Sequence, residues 1–96
     1  MRRDGTRWVV SGPVTLANVG AVLAEGSKEV LAGVRTIDLG EVTEIDSSLL
    51  AAMLSWMRDA RREGAEIGFT NMPEGLATIA RLYGVDGLLP GATQHH

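Results

Sequence analysis

The sequence contains no cysteine and no excess of positive charge. The absence of cysteine excludes disulfides, thiolate metal sites and cysteine nucleophiles, and it suits a reducing compartment. Nine lysines and arginines stand against 12 aspartates and glutamates, which gives a formal net charge of -3. Because proteins bind the phosphate backbone of nucleic acids chiefly through clustered Lys and Arg, this composition argues against a nucleic-acid-binding protein.

Long apolar segments are also missing. The longest purely apolar run, residues 49–54, is far too short to span a membrane. The first residues are not followed by an apolar stretch of the length found in signal peptides. We therefore expect a cytoplasmic protein that does not insert into a membrane by itself.

Signatures of catalysis are absent from the chain. It has no GxxxxGK[ST] or GxGxxG loop for phosphates, and its only histidines, His95 and His96, resemble the start of a purification tag. The acidic residues Glu41, Glu44 and Asp46 could form an acid–base pair, but one Phe, one Tyr and two Trp supply few platforms for a sugar substrate. The sequence predicts a protein that is not an enzyme and has no cofactor or metal.

The 96 residues suffice for one hydrophobic core. Hydrophobic residues make up 45% of the chain and charged residues 22%, as in ordinary globular domains. We expect a single domain over residues 1–90 and a disordered tail or tag remnant over residues 91–96.

Strand-prone and helix-periodic segments alternate along the chain. The expected elements are a strand within 6–11, a brief strand at 14–15, a helix over 16–31, a strand over 35–39, a loop over 40–46, a helix over 47–63, a strand over 65–70, a helix over 73–83 and a turn over 85–89. Gly12 and Pro13 are expected to form a hairpin or tight corner, and Thr15 to cap the first helix. This order predicts an α/β fold with a mixed, largely parallel sheet of four or five strands covered by helices.

The helix over residues 47–63 carries the clearest local signals. Asp46, Ser47 and Ser48 are candidate N-caps, and Gly64 suits the position after the C-terminus. A capping side chain accepts a hydrogen bond from a free backbone N–H and contributes about 1 kcal/mol. Without further information, this pattern favours plain helix capping over a functional site.

The same helix has an unusually wide apolar surface. At about 100° per residue, one set of apolar side chains points toward a sheet and a second set points about 90° away. The first set is Leu50, Leu54 and Met57, and the second is Leu49, Ala52 and Trp56. Either neighbouring helices bury the second set, or it forms an exposed stripe for a partner with Trp56 as its aromatic anchor.

The segment over residues 37–50, IDLGEVTEIDSSLL, resembles the signature of STAS domains. That signature is a strand ending in Asp-Leu, a short acidic loop and an Asp-Ser-Ser or Asp-Thr start to a helix. The C-terminal segment 76–90 is more similar to the small STAS subunit of the Mla phospholipid transporter than to the anti-sigma-factor antagonists. The resemblance spans nearly the whole chain and implies a STAS fold.

The resemblance also implies a partner. It indicates a subunit that binds the cytoplasmic ATPase of an Mla-type ABC transporter, contacts the permease only indirectly, and helps to maintain outer-membrane lipid asymmetry. Ser47 stands where the Mla subunit has a functional threonine, and Ser48 where the antagonists are phosphorylated. The antagonists have glycine in place of Leu49, which argues against docking of their kinase. The alternative is an anti-sigma-factor antagonist regulated by serine phosphorylation.

The caps, the second apolar set and the resemblance together predict a partner-binding or regulatory site. Its members are Asp46, Ser47, Ser48, Leu49, Ala52 and Trp56, with Ser47 and Ser48 as the possible phosphorylation sites.

Overall fold

The computed structural model describes residues 1–89, which form one four-stranded sheet with helices packed on one of its faces. The elements are β1 (Arg2–Asp4), β2 (Arg7–Val14), α1 (Val19–Leu31), β3 (Thr36–Ile45), α2 (Ser47–Arg62), β4 (Gly68–Thr70), α3 (Leu76–Leu82) and a 3-10 turn (Asp86–Leu88). The strand order is β1-β2-β3-β4, with β1 antiparallel to β2 and the other pairs parallel. The predicted mixed sheet is confirmed. The tail predicted at 91–96 lies outside the described residues.

The opening hairpin lies elsewhere than predicted. Its turn is at Gly5 and Thr6, where Gly5 has a φ of +64° that glycine adopts without strain. Gly12 and Pro13 lie inside β2, at a register shift between β2 and β3. Proline is tolerated at such an irregularity, so the prediction of a corner at these two residues is wrong.

Several further boundaries differ from the prediction. Strand β4 begins at Gly68 rather than at residue 65, and helix α3 begins at Leu76 rather than at residue 73. Residues 40–45 of the expected loop form the second half of β3, because the strand continues to pair with β2 as far as Ile45 through two register shifts. Helix α1 begins at Val19 rather than at Leu16, and Asn18 instead of Thr15 stands at the N-cap position. Residues 15–18 form a loop, and the side chain of Leu16 is 79% exposed.

Side chains alternate along the strands, so that one face of the sheet is buried and the other carries polar residues. Trp8 and Val10 of β2 and Ile37 of β3 point into the core beneath the helices. The intervening residues, including Arg7 and Asp38, point to the opposite face. The sheet thus packs one face against the helices, and polar contacts such as the ion pair of Arg7 with Asp38 lie on the other.

Helix α1 packs against α2 and buries the second apolar set of α2. The side chains of Leu49, Ala52 and Trp56 are all at most 1% exposed. The indole of Trp56 lies against Gly26 of α1, at a point where a Cβ atom would come within 2.3 Å of the ring. The predicted exposed stripe is therefore wrong for these three residues, because a neighbouring helix covers them.

Candidate functional site

The loops that follow β2, β3 and β4 meet at one edge of the sheet. Because these three strands are parallel, their carboxyl ends point the same way, and this is where ligands and partners commonly bind open α/β sheets. The three loops are residues 15–18, the single residue Asp46, and residues 71–75. The start of α2 at Ser47 lies in the middle of this edge.

Asp46 holds two of these segments together. Its backbone is extended, and its Oδ1 accepts a hydrogen bond from the backbone N–H of Ser48 at 2.8 Å. Its Oδ2 accepts one from the backbone N–H of Leu16 at 2.9 Å. The hydrogen bonds from Leu16 and then Ser48 lower the pKa of Asp46, since both favour the charged carboxylate. The predicted cap at Asp46 is confirmed, and the bond to Leu16 adds a contact over 30 residues that local sequence could not reveal.

The two serines differ in accessibility. Ser47 is exposed on the first turn of α2, whereas Ser48 is half-buried. Leu49 turns into the core, because each residue of a helix points about 100° from the one before it. Its large side chain is therefore buried rather than exposed beside Ser48.

An apolar groove begins at Ser47. It has a volume of about 360 Å³ and lies between α2 and the segment after α3. Its lining residues are Ser47, Leu50, Ala51, Leu54, Tyr83 and Val85. Leu54 was expected to face the sheet but is only half-buried, and Tyr83 is 63% exposed. The approach of Tyr83 and Val85 to α2 has no signal in the sequence, because it depends on how α3 is oriented.

A second depression lies beside the polar face of the sheet, between β3 and the loop after β4. Asp38 is its central charged group, and it accepts hydrogen bonds from Arg7 Nη2 at 2.7 Å, the Gly40 N–H at 2.8 Å and Asn71 Nδ2 at 3.0 Å. Asn71 has a φ of +53°, in a region that asparagine tolerates better than most residues. These bonds engage both carboxylate oxygens, so this cluster is a structural network and the Ser47 groove is the stronger candidate for a site.

The network predicts acid sensitivity of the fold. The hydrogen bond from Asn71, followed by those from Arg7 and the Gly40 N–H, lowers the pKa of Asp38 to about 2 from an ordinary value of 3.8. A depressed carboxyl pKa stabilises the fold above the unfolded value, and this contribution is lost as the pH falls through the folded value. We expect Asp38→Asn to destabilise the domain near neutral pH, and the difference from wild type to close as the pH approaches about 2. Urea denaturation across this range would measure it, and a pH-independent difference would contradict it.

The acidic residues considered for acid–base chemistry make separate contacts. Glu41 forms an ion pair with Arg2 at 2.8 Å and accepts a hydrogen bond from Ser11 at 3.1 Å. Asp46 is bound to backbone N–H groups. Within residues 1–89, no group of three or more His, Cys, Asp or Glu side chains is placed to hold a metal ion. In the same residues, no helix is long and apolar enough to cross a membrane.

Comparison with known proteins agrees with this architecture. The solved structure of the anti-sigma factor antagonist SpoIIAA in its unphosphorylated form matches with a TM-score of 0.62 at 19% sequence identity, over 80% of this chain and 70% of that one. This similarity shows a shared fold. A search of the curated proteins found no significant match. The model of the family described as Mlab, STAS domain, matches residues 2–90. The chain therefore belongs to this family of STAS domains.

Proposed function

We propose that this STAS domain is a non-catalytic accessory subunit that binds the cytoplasmic ATPase of an Mla-type phospholipid ABC transporter. The observation that carries the proposal is the match of the Mlab family over residues 2–90. In this role the domain stabilises the ATPase in an assembly-competent form and so supports outer-membrane lipid asymmetry. It lies at the inner membrane through its partner, reaches the permease only indirectly, and requires no cofactor.

The geometry at the Ser47 end of α2 supports a protein partner. An exposed hydroxyl stands at the end of a groove whose walls are mainly apolar. Protein interfaces combine such an apolar centre with a polar rim, and tyrosine is enriched among the residues that dominate binding energy. Tyr83 is 63% exposed at this groove and offers such a residue. The binding surface we assign is the Ser47 groove together with Asp46 and Ser48.

The decisive experiment is reconstitution with the ATPase. The purified domain and the purified ATPase subunit of the phospholipid ABC transporter from the same organism should co-elute in gel filtration. The domain alone should hydrolyse no ATP, because the sequence has no phosphate-binding loop. Separate elution of the two proteins, or ATP turnover by the domain alone, would contradict the proposal.

A charge at Ser47 should separate binding from folding. We expect Ser47→Asp to leave the melting temperature unchanged or slightly raised, because a helix N-terminus favours negative charge. The same substitution should weaken ATPase binding at least about tenfold, since binding would remove water from a carboxylate at the end of an apolar groove. The matched control is Ser47→Thr, which retains the hydroxyl and should bind like wild type. If Ser47→Asp unfolds the domain, the residue is structural rather than part of the binding surface.

The alternative function is that of an anti-sigma-factor antagonist controlled by serine phosphorylation. The observation that favours it is the Asp-Ser-Ser start of α2, with Ser47 exposed and Leu49 turned away from Ser48. Mass spectrometry of the native protein tests this alternative. Phosphate on Ser47 or Ser48, together with co-purification of a serine kinase in place of the ATPase, would support the antagonist and contradict the transporter subunit.

A further inference from the structure

We infer that the loop between β2 and α1 is a second arm of the docking surface, in which Leu16 contacts an apolar patch of the ATPase flanked by Lys or Arg. Asp46 is the positioning residue for this arm. The inference rests on the proposed function, since it names further contacts with the same partner.

The first observation is the exposure of Leu16 in a fixed loop. Its side chain is 79% exposed. A single exposed leucine is common on protein surfaces and needs no explanation by itself. Here, however, the loop is tied down on both sides: Asn18 Oδ1 accepts a hydrogen bond from the Thr15 N–H at 2.9 Å, and Asn18 Nδ2 donates to the Pro13 carbonyl at 2.8 Å. Because the backbone that carries Leu16 is already held in place, binding costs little entropy for ordering the loop, which favours a role as a contact residue.

The second observation is the connection of this loop to the start of α2. The carboxylate of Asp46 accepts a hydrogen bond from the Leu16 N–H on one oxygen and from the Ser48 N–H on the other. One side chain therefore fixes the position of Leu16 relative to Ser47. A partner that covers Ser47 meets Leu16 on the adjoining loop, so the groove and the loop form one continuous surface.

The third observation is the charge around this surface. Glu44 pairs in register with Pro13, three residues before Leu16, and Glu74 lies in the loop after β4. Both are exposed, and neither forms an ion pair within residues 1–89. Residues 15–18 and 71–75 contain no Lys or Arg. A surface that is apolar and acidic is complementary to a partner surface with basic residues around an apolar centre. We therefore assign such a patch to the ATPase.

The test of the contact compares two exposed leucines. Leu31 is 56% exposed at the C-terminal end of α1, on a segment that the proposed surface does not include. We expect Leu16→Ser to raise the Kd for the purified ATPase subunit at least about tenfold, and Leu31→Ser to change it less than about twofold. Both variants should melt like wild type, because neither side chain is buried. Isothermal titration calorimetry would measure the affinities.

The outcomes separate the two hypotheses. If the wild-type domain binds the ATPase and Leu16→Ser binds equally well, the loop is not a contact and this inference fails while the proposed function stands. If the wild-type domain does not bind the ATPase, the proposed function fails and this inference fails with it.

The basic partner patch has its own test. Glu44→Gln should weaken ATPase binding and reduce the dependence of the affinity on salt concentration. An unchanged salt dependence would contradict the assigned charge.

The positioning role of Asp46 is measured separately. In the isolated domain, Asp46→Ala should accelerate hydrogen exchange of the Leu16 amide, because it removes that amide's acceptor. In the complex, Leu16→Ser should cost less affinity in the Asp46→Ala background than in wild type, as expected for coupled residues. Asp46→Asn retains one acceptor oxygen and should restore part of the coupling. Unchanged exchange at Leu16, or fully additive losses of affinity, would show that Asp46 only caps α2.

Discussion

Trp56→Ala is expected to lower the free energy of unfolding of the isolated domain by about 3–5 kcal/mol, the usual cost of removing a large aromatic side chain from a core. The Trp56 ring is 0% exposed and meets Trp8 edge to face, with centroids 5.5 Å apart. Its Nε1 donates a hydrogen bond to the Leu23 carbonyl at 3.1 Å. Removing it leaves a cavity between α1 and α2 and deletes the hydrogen bond to the Leu23 carbonyl, and both effects destabilise the fold.

Leu54→Ala is the comparison for this prediction. Leu54 is half-buried and lines the Ser47 groove, so its truncation should cost clearly less folding stability than that of Trp56. Urea denaturation of both variants would give the two free energies. If Trp56→Ala lowers the free energy of unfolding by less than about 1 kcal/mol, α1 does not bury Trp56 against α2. Trp56 would then again be a candidate contact residue for a partner.

The contrast between these two residues shows where sequence periodicity stops being informative. Helical spacing divided the apolar residues of α2 into two sets, but it misplaced Leu54, which lines the groove, and it could not say which set another helix covers. Gly26 decides this, because the missing side chain leaves the space that the Trp56 indole occupies. In the sequence alone, Gly26 is indistinguishable from a weak point of a helix. The close approach of α1 to α2 is a tertiary feature. Gly26 permits it, but a glycine in the sequence does not predict it.

Local signals were reliable where the structure is determined locally. The start of α2 follows from Asp46 as N-cap, and its end from Gly64, which adopts a φ of +71° just after the C-cap residue. The second half of β3 was missed because its residues are polar and acidic. Pairing with β2 keeps them in a strand although their composition is that of a loop.

The candidate site was predicted in part for the same reason. Asp46, Ser47 and Ser48 are consecutive, so a sequence motif could place them together. Leu16 and Tyr83 reach this region from distant parts of the chain, through a hydrogen bond to Asp46 in one case and through the placement of α3 in the other. Such contacts between distant residues have no periodic signature in a single sequence.

Helix α2 therefore has two different faces. The face with Trp56 holds the domain together, while the face with Ser47, Ala51 and Leu54 borders the open groove. Substitutions on the first face should change folding, and substitutions on the second should change binding. The second face offers the sharper test of the proposed interface, because Ala51 is exposed and its replacement does not remove core packing.

Ala51→Arg is expected to raise the Kd for the ATPase subunit at least about 100-fold, or about 2.7 kcal/mol, because the long side chain fills the groove that the partner would occupy. Folding stability should change by less than about 0.5 kcal/mol, since arginine is a good helix former and the position is exposed. The matched control is Ala24→Arg, which should leave binding intact because Ala24 is exposed on α1 and does not line the groove.

A second variant, Ala51→Gln, adds bulk without charge. A loss of binding in both Ala51 variants would therefore assign the effect to filling of the groove. Titration calorimetry and urea denaturation would measure the two quantities, and wild-type affinity in Ala51→Arg would exclude the groove from the interface.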